Sequence, residues 1–171
     1  MSIAVSTFAK AVIDTGPLFT ALTLEFLQEN PDSRNIVLHK HKPPDYLGDP
    51  TAEASFRSLF RSIKRLLITS HVIGELRSRY KVPGNIHREF WLSAMKTLSH
   101  RGLDEELLTL LELYDDDALK EIVSISGPTD AGLVALAHRE GCLLLTDDGR
   151  LFRWMGVYPS LRIGLIQNLL V

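Results

Sequence analysis

Three short apolar runs constrain this chain most, because each stops at a hydroxyl or acidic residue and each is followed by a helical pattern. Residues 9–13 (AKAVI) stop at Asp14, Arg65–Thr69 (RLLIT) leads into Ser70, and residues 142–145 (CLLL) lead into Thr146, Asp147, Asp148 and Gly149. Continuous apolar runs of this kind read as strands covered on both faces, as in a parallel sheet, rather than as the alternating strands of a half-exposed one. Strands that alternate with helices predict an α/β chain, a three-layer α/β/α sandwich with a mainly parallel central sheet. Ligands in such folds bind outside the carboxyl ends of the strands.

With 171 residues and 45% hydrophobic composition the chain suits one domain, residues 1–171, with a single core. Its one cysteine, Cys142, excludes a disulfide framework and a multi-cysteine zinc cage, and it reads as a small buried apolar residue. No apolar stretch is long enough to span a bilayer, and no basic stretch precedes the first apolar residues, so the expectation is a cytoplasmic protein without membrane contact. The 19 basic and 21 acidic residues carry no broad basic signature of a nucleic-acid binder.

Between the strands, Thr15, Gly16 and Pro17 open a helix through Leu18, Ala21, Leu22 and Phe26. Residues 30–50 hold four of the eight prolines and the string His39, Lys40, His41, Lys42, and they read as a long loop or insertion around Pro43, Pro44 and Tyr46. Asp49 and Pro50 start a helix through Ser62, and Ser70 caps one carrying Val72, Ile73, Glu75 and Leu76. Residues 85–99 and 104–113 both show a helical period and are expected to pair as a helical hairpin around Arg101 and Gly102. Periodicity leaves residues 122–125 open between strand and helix end, and the Asp115–Asp117 triplet reads as a solvated helix start. Thr129 caps a helix closed by Gly141, a short helix through Phe152, Trp154 and Met155 follows the acidic pair, and residues 161–166 form a last strand.

The topology alone brings Asp14 and the pair Asp147 and Asp148 to one edge of the sheet. Asp130 lies in the first turn of the helix leading into the later strand, and Glu75 lies in the helix after the second. Any one of these acids taken alone reads as a turn or cap residue. Together, several carboxylates on one edge repel each other unless a cation compensates, and hard oxygen donors without cysteine or a histidine pair select Mg²⁺ or Mn²⁺. The histidines His71, His87, His100 and His138 show no metal-ligand spacing.

The strings VIDTGPL (12–18), ITSHVIGEL (68–76), PTDAGLVALAHREG (128–141) and LLLTDDGRLF (143–152) resemble, in order, the four motif blocks of PIN-domain nucleases. The resemblance implies a PIN-like fold and a divalent-metal-dependent endoribonuclease. Asp14, Glu75, Asp130 and Asp148 would be its catalytic metal ligands, with Asp147 the alternative fourth acid. Thr15, Ser70 and Thr146 would support them, and Arg77, Arg79, Lys81, Arg150 and Arg153 flank them where a phosphate backbone would run. The resemblance further implies RNA as substrate and, by the habit of small stand-alone members, the toxin role of a toxin–antitoxin pair, with an antitoxin and a second copy of the chain as partners. The segment between the first two blocks is longer than in compact members, and the acidic and aromatic lead into the third is only loosely echoed by Tyr114 and the Asp115–Asp117 triplet.

The alternative is a PIN-like binding scaffold for nucleic acid or protein without turnover. An aspartic protease, suggested by Asp14, Thr15 and Gly16, conflicts with the helical content, and a haloacid dehalogenase-type phosphatase wants an acid where Gly16 stands. Setting aside the four proposed ligands moves the formal charge from -2 to +2. Near-neutral composition is thus compatible with a polyanion met at a small cation-charged cleft.

Overall fold

The computed structural model describes residues 9–40, 44, 48–79 and 84–170. Among the described residues, five strands form one all-parallel sheet flanked by helices, a three-layer α/β/α sandwich. The strands are β1 (Lys10–Ile13), β2 (Arg65–Thr69), β3 (Leu103–Glu106), β4 (Leu143–Thr146) and β5 (Arg162–Leu165), in the order β3-β2-β1-β4-β5. Central strands β1, β2 and β4 are almost wholly buried, as their unbroken apolar sequences require.

The helices are α1 (Thr15–Glu29), α2 (Arg34–Lys40), α3 (Pro50–Ser62), α4 (Ser70–Arg79), α5 (Asn85–His100), α6 (Leu110–Asp115), α7 (Asp117–Ser126), α8 (Pro128–Glu140) and α9 (Ile166–Leu169). Apolar residues run most of the way around α1 and α8, and both are correspondingly buried, α1 against α3, α4 and α5 and α8 against β1, β2, β4 and α7. Each fully buried Leu or Ile, such as Leu22, Leu67 or Leu133, contributes about 1.5–3 kcal/mol relative to exposure. Asp49 caps α3 with Pro50 at its first position, and Gly141 closes α8 in the left-handed region at φ 58°, both as the sequence predicts. Cys142 is buried.

Four local expectations are corrected or resolved. Residues 103–106, expected in a helical hairpin, are an edge strand: Gly102, at φ +60°, turns the chain after α5, and β3 runs parallel to β2 with Leu66 opposite Leu103. Its acids suit an edge, where Asp104 pairs with Arg65 and Glu106 with Arg139. The expected loop at 30–50 contains a 3₁₀ turn (Pro31–Ser33) and α2, which buries Val37; residues 41–43 and 45–47, including His41, Lys42, Pro43 and Tyr46, lie outside the described residues. Residues 122–125, which periodicity leaves open between strand and helix end, are helical, within α7, which buries Leu119 and Ile122. The cap of α8 is Gly127, with Thr129 one residue into the helix, and β2 passes directly into α4 at Ser70.

Asp116, in the acidic triplet, caps α7 by accepting from the Ala118 and Leu119 N–H groups, and it also accepts the Tyr158 hydroxyl at 2.6 Å. The hydroxyl holds its carboxyl below the usual range, so the triplet anchors the segment before β5 as well as starting a helix. The stacking of His138 on Tyr158, with ring centroids 4.0 Å apart, belongs to the same anchor.

Candidate active site

The strand order places the site. From β1 the chain first builds the sheet outward through β2 and β3, then crosses back to lay β4 and β5 on the opposite side of β1. The segments leaving β1 and β4 therefore diverge and open a crevice at the carboxyl ends of those two strands. That crevice is a cleft of about 400 Å³ lined by Asp14, Gly16, Glu75, Arg79, Ser126, Asp130, Asp147, Asp148 and Arg150. All four proposed acids and the alternative Asp147 thus border one space.

Asp14 ends β1 and caps α1, its Oδ1 accepting the Thr15 N–H at 2.5 Å while its own N–H donates to the Leu145 carbonyl at 2.9 Å. Its Oδ2 accepts the hydroxyl of Thr146, which is fully buried, at 2.6 Å. The same hydroxyl oxygen accepts the Asp148 N–H at 2.9 Å, so one side chain aligns the acid after β1 with the loop after β4. Burial pushes the Asp14 carboxyl up from its ordinary value and the Glu75 charge adds to this, against the lowering effect of the Thr146 and Thr15 bonds and of Arg79.

Glu75 reaches the cleft from α4, where its Oε2 accepts the Thr15 hydroxyl at 2.8 Å and lies 4.0 Å from Arg79. Asp148 caps the 3₁₀ turn Gly149–Trp154 and is held by Arg150, which donates from Nε to both carboxylate oxygens (2.9 and 3.0 Å) and from Nη2 at 2.5 Å. That fork keeps the Asp148 carboxyl below its usual value. Asp130, in the first turn of α8, is half-buried and accepts no hydrogen bond among the described residues. Burial, and then the charges of Asp14, Asp148 and Glu75, push its carboxyl up from 3.8 to about 6. Asp147 sits against Gly16, where a Cβ would come within 3.3 Å of its Oδ2, so the glycine gives the acid room.

Of the hydroxyl residues, Thr15 and Thr146 hold acids as expected, whereas Ser70 begins α4 without lining the cleft. Among the basic residues, Arg79 and Arg150 line the cleft, Arg77 faces a separate cavity, Arg153 lies over the Trp154 ring, and Lys81 lies outside the described residues. Sequence reasoning missed Ser126, at the end of α7, whose hydroxyl accepts the Trp154 indole N–H at 3.3 Å while bordering the cleft. Its only local signal is its place just before the Gly127–Pro128 helix start.

The donor set consists of carboxylates, the chemistry of a hard divalent cation. Among the described residues, no three acidic, histidine or cysteine side chains stand close enough together to hold one ion in the present side-chain arrangement. The fit is of donor type and mutual repulsion, centred on Asp130, with Asp148 engaged by Arg150 and Glu75 by Thr15. Neither the models of known protein families nor the curated proteins include a match to this chain.

Proposed function

We propose that the chain is a divalent-metal-dependent endoribonuclease of the PIN-like type. The observation that carries this reading is the convergence of Asp14, Glu75, Asp130 and Asp148 at the crevice between β1 and β4, where three of them raise the carboxyl of the fourth. Carboxyl groups raised by mutual repulsion cluster at functional sites, because in a scaffold the same uncompensated charge only destabilises the fold.

These four acids would hold Mg²⁺ or Mn²⁺, which when bound lowers the pKa of a coordinated water and neutralises charge on a phosphodiester. The chain's own groups prepare that site. Thr146 fixes the Asp14 carboxylate through its hydroxyl, and Thr15 fixes Glu75. Arg79 and Arg150 place two guanidinium groups at the cleft for the phosphate backbone. No serine, cysteine or histidine nucleophile is needed. The resemblance to PIN nucleases extends the proposal to a toxin–antitoxin toxin acting in the cytoplasm. Exposed Leu92, Met95, Leu110 and Leu111 on α5 and α6 suit an antitoxin or a second copy.

A second reading, a binding module without turnover, is favoured by the absence among the described residues of a three-donor set poised for one ion. Incubation with structured and single-stranded RNAs under Mg²⁺, Mn²⁺ or EDTA separates the two. The nuclease reading expects metal-dependent internal cuts, and RNA binding without cleavage under every condition supports the module.

A further inference from the structure

On the flank of α4 away from the acids, α4 and α5 enclose an open cavity of about 480 Å³ lined by Ile73, Gly74, Arg77, His87 and Trp91. Its walls are mainly apolar and aromatic, with one guanidinium at the edge. Trp91 is half-buried and anchored edge-on to Phe90, with ring centroids 5.6 Å apart, and Phe90 in turn meets Phe26 in the core at 5.7 Å. His87, one turn earlier, meets Trp91 at 6.4 Å and 62°, so the two rings form an aromatic corner.

Gly74 supplies a second, independent observation. It is exposed in the interior of α4, where glycine weakens a helix relative to alanine, yet a Cβ built on it would meet no atom within 4 Å. Packing within the protein therefore does not require the missing side chain. A glycine in that position leaves helix backbone open to close approach by something lying in the cavity.

The cavity and the acidic cleft share α4. Glu75 faces the cleft, and Gly74 and Arg77 face the cavity, on either side of a helix roughly 10–12 Å across with its side chains. A single strand with a phosphate among the acids would cross α4 and reach the aromatic corner within a few nucleotides. Aromatic rings accept any unpaired base on their faces, and an exposed arginine beside them meets its phosphate. We propose that this cavity is a nucleobase subsite: Trp91 stacks an unpaired base over Gly74, His87 meets the edge of that base, and Arg77 holds the adjoining phosphate. The proposal rests on the nuclease reading for the identity of the ligand, and it makes that reading specific to single-stranded RNA.

The test uses the full chain carrying Asp14→Asn and single-stranded oligoribonucleotides, read by intrinsic tryptophan fluorescence. Binding should quench the emission, and Trp91→Leu should abolish the quench and weaken binding by about tenfold, the scale of one lost stacking contact. Trp154 is buried but bonds Ser126 at the border of the acidic cleft, so the folding of each variant is checked by far-UV circular dichroism. Gly74→Ala should raise the melting temperature by about 2–4 °C. Gly74→Leu should block the approach to the helix backbone and weaken binding as much as Trp91→Leu does, and duplex RNA should not quench. A quench undiminished by Trp91→Leu, or undiminished RNA binding by folded Gly74→Leu, overturns the subsite. Metal-dependent cleavage, measured with Asp14 intact, that is indifferent to Trp91→Leu and Gly74→Leu removes the subsite and leaves the nuclease. A Trp91 quench with no cleavage under any metal keeps the subsite and removes the hydrolytic reading.

Discussion

Asp130→Asn should make the protein more stable at neutral pH while removing its activity. Asp130 is the acid with no hydrogen-bonded partner among the described residues, and its carboxyl is raised from 3.8 to about 6 by burial and by Asp14, Asp148 and Glu75. At 1.36 kcal/mol per pH unit that rise amounts to about 3 kcal/mol. The side chain is only half-buried, so solvent screening reduces the figure to about 1–2 kcal/mol. The sign follows from proton linkage. Between about pH 4 and pH 6 the folded protein holds the Asp130 proton more tightly than the unfolded chain, so raising the pH through that window lowers stability. Asparagine has no such titration. Thermal unfolding followed by circular dichroism should show equal melting temperatures for the two proteins near pH 4. At pH 7.5 the variant should lead by about 3–6 °C. Excess Mg²⁺ at pH 7.5 should raise the wild-type melting temperature and leave the variant nearly unmoved, since ligand that binds only the folded state stabilises it by mass action. A variant less stable than wild type at pH 7.5, or a difference that does not change with pH, would refute the repulsion on which the site argument stands.

Thr146→Val keeps the shape of a fully buried side chain while leaving Asp14 Oδ2 and the Asp148 N–H without their shared partner; urea unfolding should show a loss of about 2 kcal/mol, and cleavage should fall with it. Asp148→Asn should lower RNA cleavage by about a hundredfold or more and Asp147→Asn by about tenfold or less, because Asp148 is the acid whose charge acts on Asp130; the reverse order in a single-turnover assay would assign the fourth position to Asp147. Mn²⁺ affinity measured by calorimetry should weaken below about pH 6, where protons compete for Asp130, and a flat profile between pH 5 and pH 7.5 would count against that carboxylate as a ligand.

The central strands were readable in the sequence because they are buried on both faces, and β2 matches its predicted bounds residue for residue. Once β1 and β4 were legible, so was the meeting of Asp14 with Asp147 and Asp148, since both segments end on the same sheet edge. The edge strand β3 was not legible. Its LDEE sequence lacks an apolar run, and the spacing of Leu107, Leu108 and Leu111 imitates a helix across a segment that is in fact a strand, a connection and the start of α6. Helix α2 escaped notice because it buries only Val37 among its described side chains and lies in a proline-rich stretch. Within the site, the sequence pointed to the acids but not to the way they are held. The double role of the Thr146 hydroxyl, the grip of Arg150 on Asp148 and the presence of Ser126 arise from tertiary contacts that no local pattern encodes.

Mn²⁺ binding and RNA cleavage measured on the same preparations of wild type and Asp14→Asn test the central claim most directly. The acids at the β1–β4 crevice, acting as one cation site, predict that wild type binds Mn²⁺ and cuts RNA, that EDTA stops the cutting, and that Asp14→Asn loses both properties while keeping its fold. Cleavage that persists in the folded Asp14→Asn protein or in the presence of EDTA would contradict it.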